Sequence, residues 1–397
     1  MNLIVDRKAF KEYLEIVGKA LGKNDSEPIC THYLFRVGAS ECEVLAGGKG
    51  GQCGYLKIEG LPPTNVPDGK VVEFTADGER LVGFLGDVPD GNINISYDEA
   101  AKKVNVKPDA IKANFNLISL APKDYPDFET DFKTAKAAGK KGTLSVAVLS
   151  DAVGFTKQFI GTNLTNPGLS LCRLKVDGTV NTGDGKTIAI YKSSPFGGEF
   201  KLRQTMMDGV MAFVSKSEGD LALYEGGNYY FLENAKGYYY GFNKVSYDIP
   251  AAGMPDLFDA GVGDTIFEVD RDRLAGAIRR LKWSVDKDVS RMGFKLTGTG
   301  LDTVLTVSAK DTNGTISEEE VGGVARTKGS DDLTFHLNYG NVLKGIEHMT
   351  NLSIHFCINR QGVPYAKMLE AVKFDSADAN SADVVRILFL ALIRSDR

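Results

Sequence analysis

The 397-residue sequence is short of the side chains that most often carry chemistry, with four histidines, five cysteines and one tryptophan. Cys30, Cys42, Cys53, Cys172 and Cys357 form no C-x-x-C pair, and their odd number and wide spacing argue against a disulfide framework or a zinc site local in sequence. Buried, reduced thiols in a reducing cytosol are the expectation. His32, His336, His348 and His355 show neither H-x-x-x-H nor H-E-x-x-H spacing, so a metal site would need assembly from distant strands. No serine lies in G-x-S-x-G, and Cys172 lacks a local nucleophile signature. No catalytic constellation is visible, and no cofactor or metal is called for. Nor is there an excess of positive charge. With 47 Lys and Arg against 52 Asp and Glu the net charge is −5, so nucleic acid cannot be held by bulk charge and any basic surface must be local. The most apolar run, Ile387 to Ile393, is far too short to span a bilayer, and Met1 to Arg7 has no basic region leading into an apolar one. Neither targeting nor membrane contact is expected.

What the chain does have is glycine, 44 residues against 13 prolines, which suits the many tight turns of a strand-rich protein. Its 43% hydrophobic and 25% charged content fits a globular chain of two to four domains. The sequence also repeats. Val5-Asp6-Arg7 returns as Val269-Asp270-Arg271, 264 residues on, and the apolar stripe Phe10, Leu14, Val17, Leu21 returns at the same offset as Leu274, Ile278, Leu281, Val285. A weaker third copy after Leu144 keeps Leu149, Val153 and Ile160, with Thr156 interrupting it. A second helix in each segment carries Leu81, Phe84, Leu85, then Val210, Phe213, Val214 at an offset of 129, then Val342, Ile346, Met349. The same offset relates Pro126-Asp127 to Pro255-Asp256. Period-two runs follow these helices at 92–97, 103–107 and 111–118, at 221–224, 228–232 and 238–242, and at 352–358, 365–372 and 384–393, which predicts half-buried antiparallel strands. The small, basic stretch 131–142 lacks an apolar stripe and reads as a linker, and a second boundary falls near Gly261 to Asp264.

Over essentially the whole chain these residues resemble the bacterial DNA sliding clamp, the β subunit of DNA polymerase III. The resemblance rests on the opening MNLIVDR with its long helix and Gly22, on KDYPDF at Lys123 to Phe128, on VNTGDGKTIAI at Val180 to Ile190, and on LFLALIR at Leu388 to Arg394. It implies an α+β fold of three similar domains, each with two helices packed on antiparallel sheets, at 1–133, 143–262 and 263–397 with a linker at 134–142. A head-to-tail homodimer would then close a ring around duplex DNA, cytoplasmic and at the nucleoid, without enzymatic activity. The implied partners are a DNA polymerase and an ATP-dependent clamp loader. Local charge agrees: between Asp6 and Lys23 five basic residues face three acidic ones, and between Asp270 and Lys282 five face two. Arg7, Lys8, Lys11, Lys19, Lys23, Arg279, Arg280 and Lys282 are the expected DNA-facing set, attracting phosphates without reading bases.

The resemblance also implies a pocket for short partner peptides between the second and third domains. Its matching residues are Leu169, Gly185, Lys186, Ile188, Pro255, Phe389, Leu390, Leu392, Ile393 and Arg394, mostly apolar anchors as peptide grooves require. Lys186 stands where the family usually has His, Leu392 replaces a proline, Asp259 a frequent Arg, and Pro167-Gly168 a frequent aromatic pair. These departures imply a divergent clamp with its own polymerase. Two alternatives are weighed beside it. Gly185-Lys186-Thr187 ends like a P-loop and would suit a nucleotide hydrolase, but Val180 replaces the first glycine and Ile188 to Tyr191 is β-rich, so a turn between strands is expected. A β-rich structural module without a DNA role is the other. The run Gly47 to Gly54 fails G-x-G-x-x-G at Cys53 and reads as a flexible turn, and Glu318-Glu319-Glu320 as a solvated loop.

Overall fold

The computed structural model describes residues 1–22, 27–48, 51–162, 166–247, 264–285, 290–360, 364–372 and 384–393. Its recurring local unit is a strand that ends on a capping residue and turns directly into a helix. The Asp6 carboxylate accepts from the Ala9 N–H at 2.8 Å, Asp77 from Arg80 at 2.9 Å and Asp270 from Arg273 at 2.8 Å, and the Asn338 side chain accepts from Asn341 at 3.1 Å. Each satisfies one of the donors a helix start leaves open, worth about 1 kcal/mol. The Val-Asp-Arg echo is thus a strand end, a cap and a first helical residue.

The element order runs through the same sequence three times. The first pass is β1 (Asn2–Asp6), α1 (Arg7–Gly18), β2 (His32–Val37), β3 (Cys42–Gly48), β4 (Gln52–Ile58), β5 (Val72–Asp77), α2 (Gly78–Asp87), β6 (Asn92–Asp98), β7 (Lys103–Pro108) and β8 (Phe115–Ile118). After α3 (Phe128–Ala137) come β9 (Gly142–Ser145), α4 (Val146–Thr156), β10 (Leu171–Leu174), β11 (Thr179–Gly183), β12 (Thr187–Lys192), β13 (Phe200–Arg203), α5 (Gln204–Ser215), β14 (Asp220–Gly226), β15 (Tyr229–Glu233) and β16 (Tyr239–Asn243). The third pass is β17 (Thr265–Asp270), α6 (Arg271–Leu281), β18 (Arg291–Thr297), β19 (Val304–Lys310), β20 (Ile316–Val321), β21 (Val324–Lys328), β22 (Leu333–Asn338), α7 (Tyr339–Glu347), β23 (Ser353–Asn359), β24 (Tyr365–Val372) and β25 (Val384–Ala391), with β21 the one added strand.

Each pass builds two antiparallel sheets, and neighbouring passes share them. The sheets run β1-β6-β7-β8, β5-β2-β3-β4-β16-β15-β14-β9, β13-β10-β11-β12-β25-β24-β23-β17-β21 and β20-β19-β18-β22. The third strand after the first helix of one pass therefore pairs with the last strand of the next. In β4 and β16 Tyr55 faces Tyr239, their rings stacked 5.1 Å apart, and in β12 and β25 Thr187 faces Leu390 and Ile188 faces Phe389. The fold is α+β, and each apolar helix stripe lies inward as its period requires.

The chain divides into two units. The first comprises residues 1–150 and 205–245. Phe10, Leu14 and Val17 of α1 are buried there, as are Leu81 and Leu85 of α2. On the other face of the β3-β4-β16-β15 sheet lies α3, with Phe132 stacked 4.0 Å from Tyr239 and Phe128 edge-on to Tyr229. The stretch expected to be a linker is therefore helical up to Ala137, anchored by Phe128, Phe132 and Ala135. Its stripe escapes notice because only Phe132 and Ala135 fall inside the window from 131 on. Gly47 sits in this contact: a Cβ there would fall 2.1 Å from the Phe128 ring, so the glycine serves close packing at least as much as turning.

The second unit comprises residues 151–204 and 246–397. Leu274, Ala277, Ile278 and Leu281 of α6 and Val342 and Ile346 of α7 are buried in it. Thr156 breaks the apolar stripe of α4 yet is fully buried, because its hydroxyl donates to the Ala152 carbonyl at 2.8 Å and lies 3.6 Å from the Cys172 sulfur. The run Glu318-Glu319-Glu320 lies in strand β20 rather than in a loop, with Glu318 and Glu320 exposed and Glu319 on the opposite face against α6. An edge strand tolerates such a run because half its side chains point to water. No disulfide joins any of the five cysteines, and all are buried. Among the described residues no helix is long and apolar enough to cross a membrane.

Candidate nucleic-acid and peptide interfaces

The basic residues predicted to face DNA sit on two helices, one in each unit. On α1 the side opposite Phe10, Leu14 and Val17 carries exposed Lys8 and, at the helix end, exposed Lys19. Lys11 is half-buried and reaches Glu15 at 3.4 Å. Arg7 is engaged locally: its side chain is 15% exposed and ion-paired with Asp90, while its backbone N–H donates to the Gly91 carbonyl at 2.9 Å. Lys23 lies outside the described residues.

In the second unit α6 places Arg279 and Arg280 on its exposed side and Lys282 at its C-terminal cap. Arg279 reaches Glu347 of α7 at 3.2 Å. Arg280 is paired with Glu319, whose hydrogen bond raises the guanidinium above its ordinary range. Exposed pairs of this kind contribute little to stability, so both arginines can exchange their carboxylates for phosphate oxygens. Basic residues in the last turn also suit the negative end of the helix dipole. Exposed Arg273 shares this helix; composition counts it, but the resemblance does not single it out. Trp283, one residue beyond Lys282, escapes the sequence reading altogether, and its being the one tryptophan is the available signal.

The described residues expected to form a peptide pocket gather around one end of the β12-β25 pairing, within the second unit. Asp184 accepts from the backbone N–H groups of Lys186 and Thr187 at 2.8 and 2.7 Å, and Gly185 adopts φ +88°, giving a tight turn between β11 and β12. The element that follows Gly185-Lys186-Thr187 is a strand, so the phosphate cradle at a helix N-terminus that a P-loop requires is not formed. Leu169 lies on the 3-10 turn Pro167–Ser170, its Cδ1 3.4 Å from where a Gly185 Cβ would be. Gly161 permits that approach, since a Cβ there would fall 2.8 Å from the Leu169 carbonyl, which instead accepts from the Gly161 N–H at 2.8 Å.

From the other side comes β25. The Ala391 N–H donates to the Lys186 carbonyl at 2.9 Å, and the Ile393 N–H donates to the His336 carbonyl at 3.0 Å. Leu169, Ile188, Leu392 and Ile393 are half-buried and keep apolar surface to offer, whereas Phe389 and Leu390 are 4% and 2% exposed. Phe389 packs edge-on against Tyr365 at 5.4 Å in a cluster with Ile190, Leu369 and Ile387. It supports the surface from beneath. Asn341 is an addition that no motif signals: its side-chain amide donates to the Thr187 hydroxyl at 2.7 Å, tying α7 to the strand that carries the turn. Pro255, Arg394 and the noted departure Asp259 lie outside the described residues.

No family model and no curated protein sequence matches the chain. Solved structures do. The β subunit of DNA polymerase III from Pseudomonas aeruginosa superposes with a TM-score of 0.74 at 16% identity, covering 100% of both chains. The Caulobacter crescentus β sliding clamp gives 0.77 at 15% identity over 100% of this chain and 99% of that one. The Thermotoga maritima β subunit gives 0.77 at 15% identity over 100% of both. From end to end, with its three passes and shared sheets, the chain has the fold of the bacterial sliding clamp.

Proposed function

We propose that the chain is a divergent DNA sliding clamp, which encircles duplex DNA as a head-to-tail homodimer and tethers a DNA polymerase and other partners through the site at Leu169, Gly185, Lys186, Ile188, Leu392 and Ile393. It acts in the cytoplasm, at the nucleoid, as a non-catalytic accessory subunit, and an ATP-dependent loader opens it. Its domains are 1–133, 143–262 and 263–397, joined first by 134–142. Confinement on DNA raises the polymerase's effective concentration there without altering its chemistry. Lys8, Lys11, Lys19, Arg279, Arg280 and Lys282, with Arg7 and Lys23, supply a weak phosphate attraction that permits sliding.

The observation that carries this reading is the pair of strand edges left over from the repeat. The β4-β16 and β12-β25 joints use the corresponding strands of successive passes, and by that correspondence β20 and β8 are a third such pair. Each lies at a sheet edge among the described residues. Joining β20 of one copy to β8 of a second, twice, closes two chains into a ring. The side chains suit one another. Ile316 and Ile118 are 59% and 71% exposed, and the exposed Glu318 and Glu320 of β20 would face the exposed Lys103 and Lys107 of β7 across β8, a complementary charge pattern at the joint.

Light scattering on a sizing column with small-angle X-ray scattering tests it. The expected result is a mass twice 43.0 kDa with a hollow profile. Glu318→Lys with Glu320→Lys weakens that dimer at least about tenfold at low salt, because like charges then meet across the joint. A compact monomer at every concentration, with or without DNA, overturns the ring and would favour a structural module.

A further inference from the structure

Trp283 is the one tryptophan of the chain, and it is 84% exposed. Large aromatic rings normally bury, so an indole standing in water invites a ligand. Its backbone is well held. Leu281 and Val285 on either side are buried, the Lys282 N–H donates to the Ile278 carbonyl, and residues 282–284 form a 3-10 turn that continues α6. The ring is therefore turned outward by two anchored neighbours. Cations stand beside it: the Lys282 ammonium lies 5.0 Å from the ring centroid, and one turn back are exposed Arg279 and Arg280, whose exposed pairs with Glu347 and Glu319 can be exchanged for phosphate. At the repeat offset of 264 residues the first pass has Lys19, and in the matching 3-10 turn Lys157–Phe159 the second has Gln158. One position thus carries a cation, an amide and an indole.

We propose that Trp283, with Lys282, Arg279 and Arg280, forms a binding site for single-stranded DNA, the indole stacking on an unpaired base while the cations meet the adjacent phosphates. This rests on the clamp reading and adds to it a preference for a place where duplex gives way to single strand. The face of an indole has little to stack on in an intact duplex, whose bases already cover one another, and an apolar peptide would not need three cations. Base–aromatic stacking tolerates any base, so the site adds no sequence preference.

Because the chain has one tryptophan, fluorescence of the full-length protein excited at wavelengths where its 15 tyrosines do not absorb reports this residue alone. Titration with a short oligothymidylate at low salt should quench it and shield it from acrylamide, and blunt duplex should do so far less. Trp283→Ala should weaken oligothymidylate binding about 5- to 100-fold while duplex binding changes by less than about twofold, and Trp283→Phe should recover most of the loss. Equal quenching by duplex, or a Trp283→Ala protein that binds oligothymidylate like the parent, overturns the proposal. Quenching by an apolar peptide but not by oligothymidylate also overturns it, in favour of a protein partner. Sizing mass and duplex binding, measured on the same samples, separate the two levels: if both stay intact only the stacking site falls, and if the parent is a monomer that binds neither form of DNA the clamp reading falls with it.

Discussion

Replacing Arg386 with methionine should loosen the seam between the second and third passes. The guanidinium lies inside the second unit, 4% exposed, donating to Glu370 Oε2 and to Asp151 Oδ2, each at 2.6 Å. Burial works against its charge, yet the Glu370 hydrogen bond and the Asp151 charge outweigh that and raise it above its ordinary range. Asp151 also accepts from the Tyr191 hydroxyl at 3.0 Å, so α4, β12, β24 and β25 meet here. The methionine keeps the aliphatic stem and removes both ion pairs, leaving the Glu370 carboxylate, 0% exposed, without its cation. Stranding a buried charge costs about 3–5 kcal/mol. Glu370 Oε1 still accepts from the Thr350 and Asn351 N–H groups and from the Thr350 hydroxyl at 3.1 Å, which argues for the lower end, about 3 kcal/mol. At roughly 2–4 °C per kcal/mol for a unit of this size, the first calorimetric transition should fall by about 6–12 °C. Hydrogen exchange should then rise first in β24 and β25. Replacing Glu370 as well, by leucine, should recover part of the loss, since an apolar pair often does as well as a buried ionic one. A single variant that melts within about 1 °C of the parent, or a double variant no better than the single, would refute the reasoning.

Two further outcomes follow from buried groups. Burial pushes the Cys172 thiol up to about 12, and Cys42 and Cys53 higher still, so none of these three should react with a disulfide reagent in the native protein at neutral pH; fast labelling of any one before unfolding would contradict the packing around it. His348, half-buried with Phe155 edge-on at 6.4 Å, is held below the ordinary histidine range, chiefly by burial. Glu347 and Asp151 oppose that lowering, and Arg386 and Lys157 reinforce it. With the folded value below the unfolded one, its contribution is complete above about pH 6.5 and is lost as pH falls through that range toward the folded value. His348→Gln should flatten that part of the stability profile in urea titrations, and an unchanged slope would show that other groups set it.

Much of this protein is legible in the sequence itself, for identifiable reasons. The helices of the repeat show because an apolar stripe at period 3.6 and a capping aspartate are local signals, and Val5-Asp6-Arg7 carries a strand end, a cap and a helix start in three residues. The last strands of the first pass show because one face is buried and the other wet, as the alternation in Asn92–Asp98 and Lys103–Pro108 displays. The turn at Asp184 to Lys186 is readable because glycine at positive φ and an aspartate accepting from the next N–H groups belong to a strand-turn-strand. Strands β2 to β4 are harder. His32 to Val37 and Cys42 to Gly48 are buried on both faces or rich in glycine, so their period-two pattern is gone.

Pairing is decided by tertiary structure alone. Nothing local joins Ile188 to Phe389 across 201 positions, or β4 to β16, because which edges meet depends on the twist and placement of whole sheets. The same holds for side-chain availability. Sequence assigns Arg7, Phe389 and Leu390 to sites, but the fold turns the arginine to Asp90 and sets the two apolar residues into the core, while it leaves Trp283 in water between two buried neighbours. Periodicity determines which face of an element is apolar; only the assembled sheets and helices determine what that face meets, because burial is a property of neighbours that lie far apart along the chain.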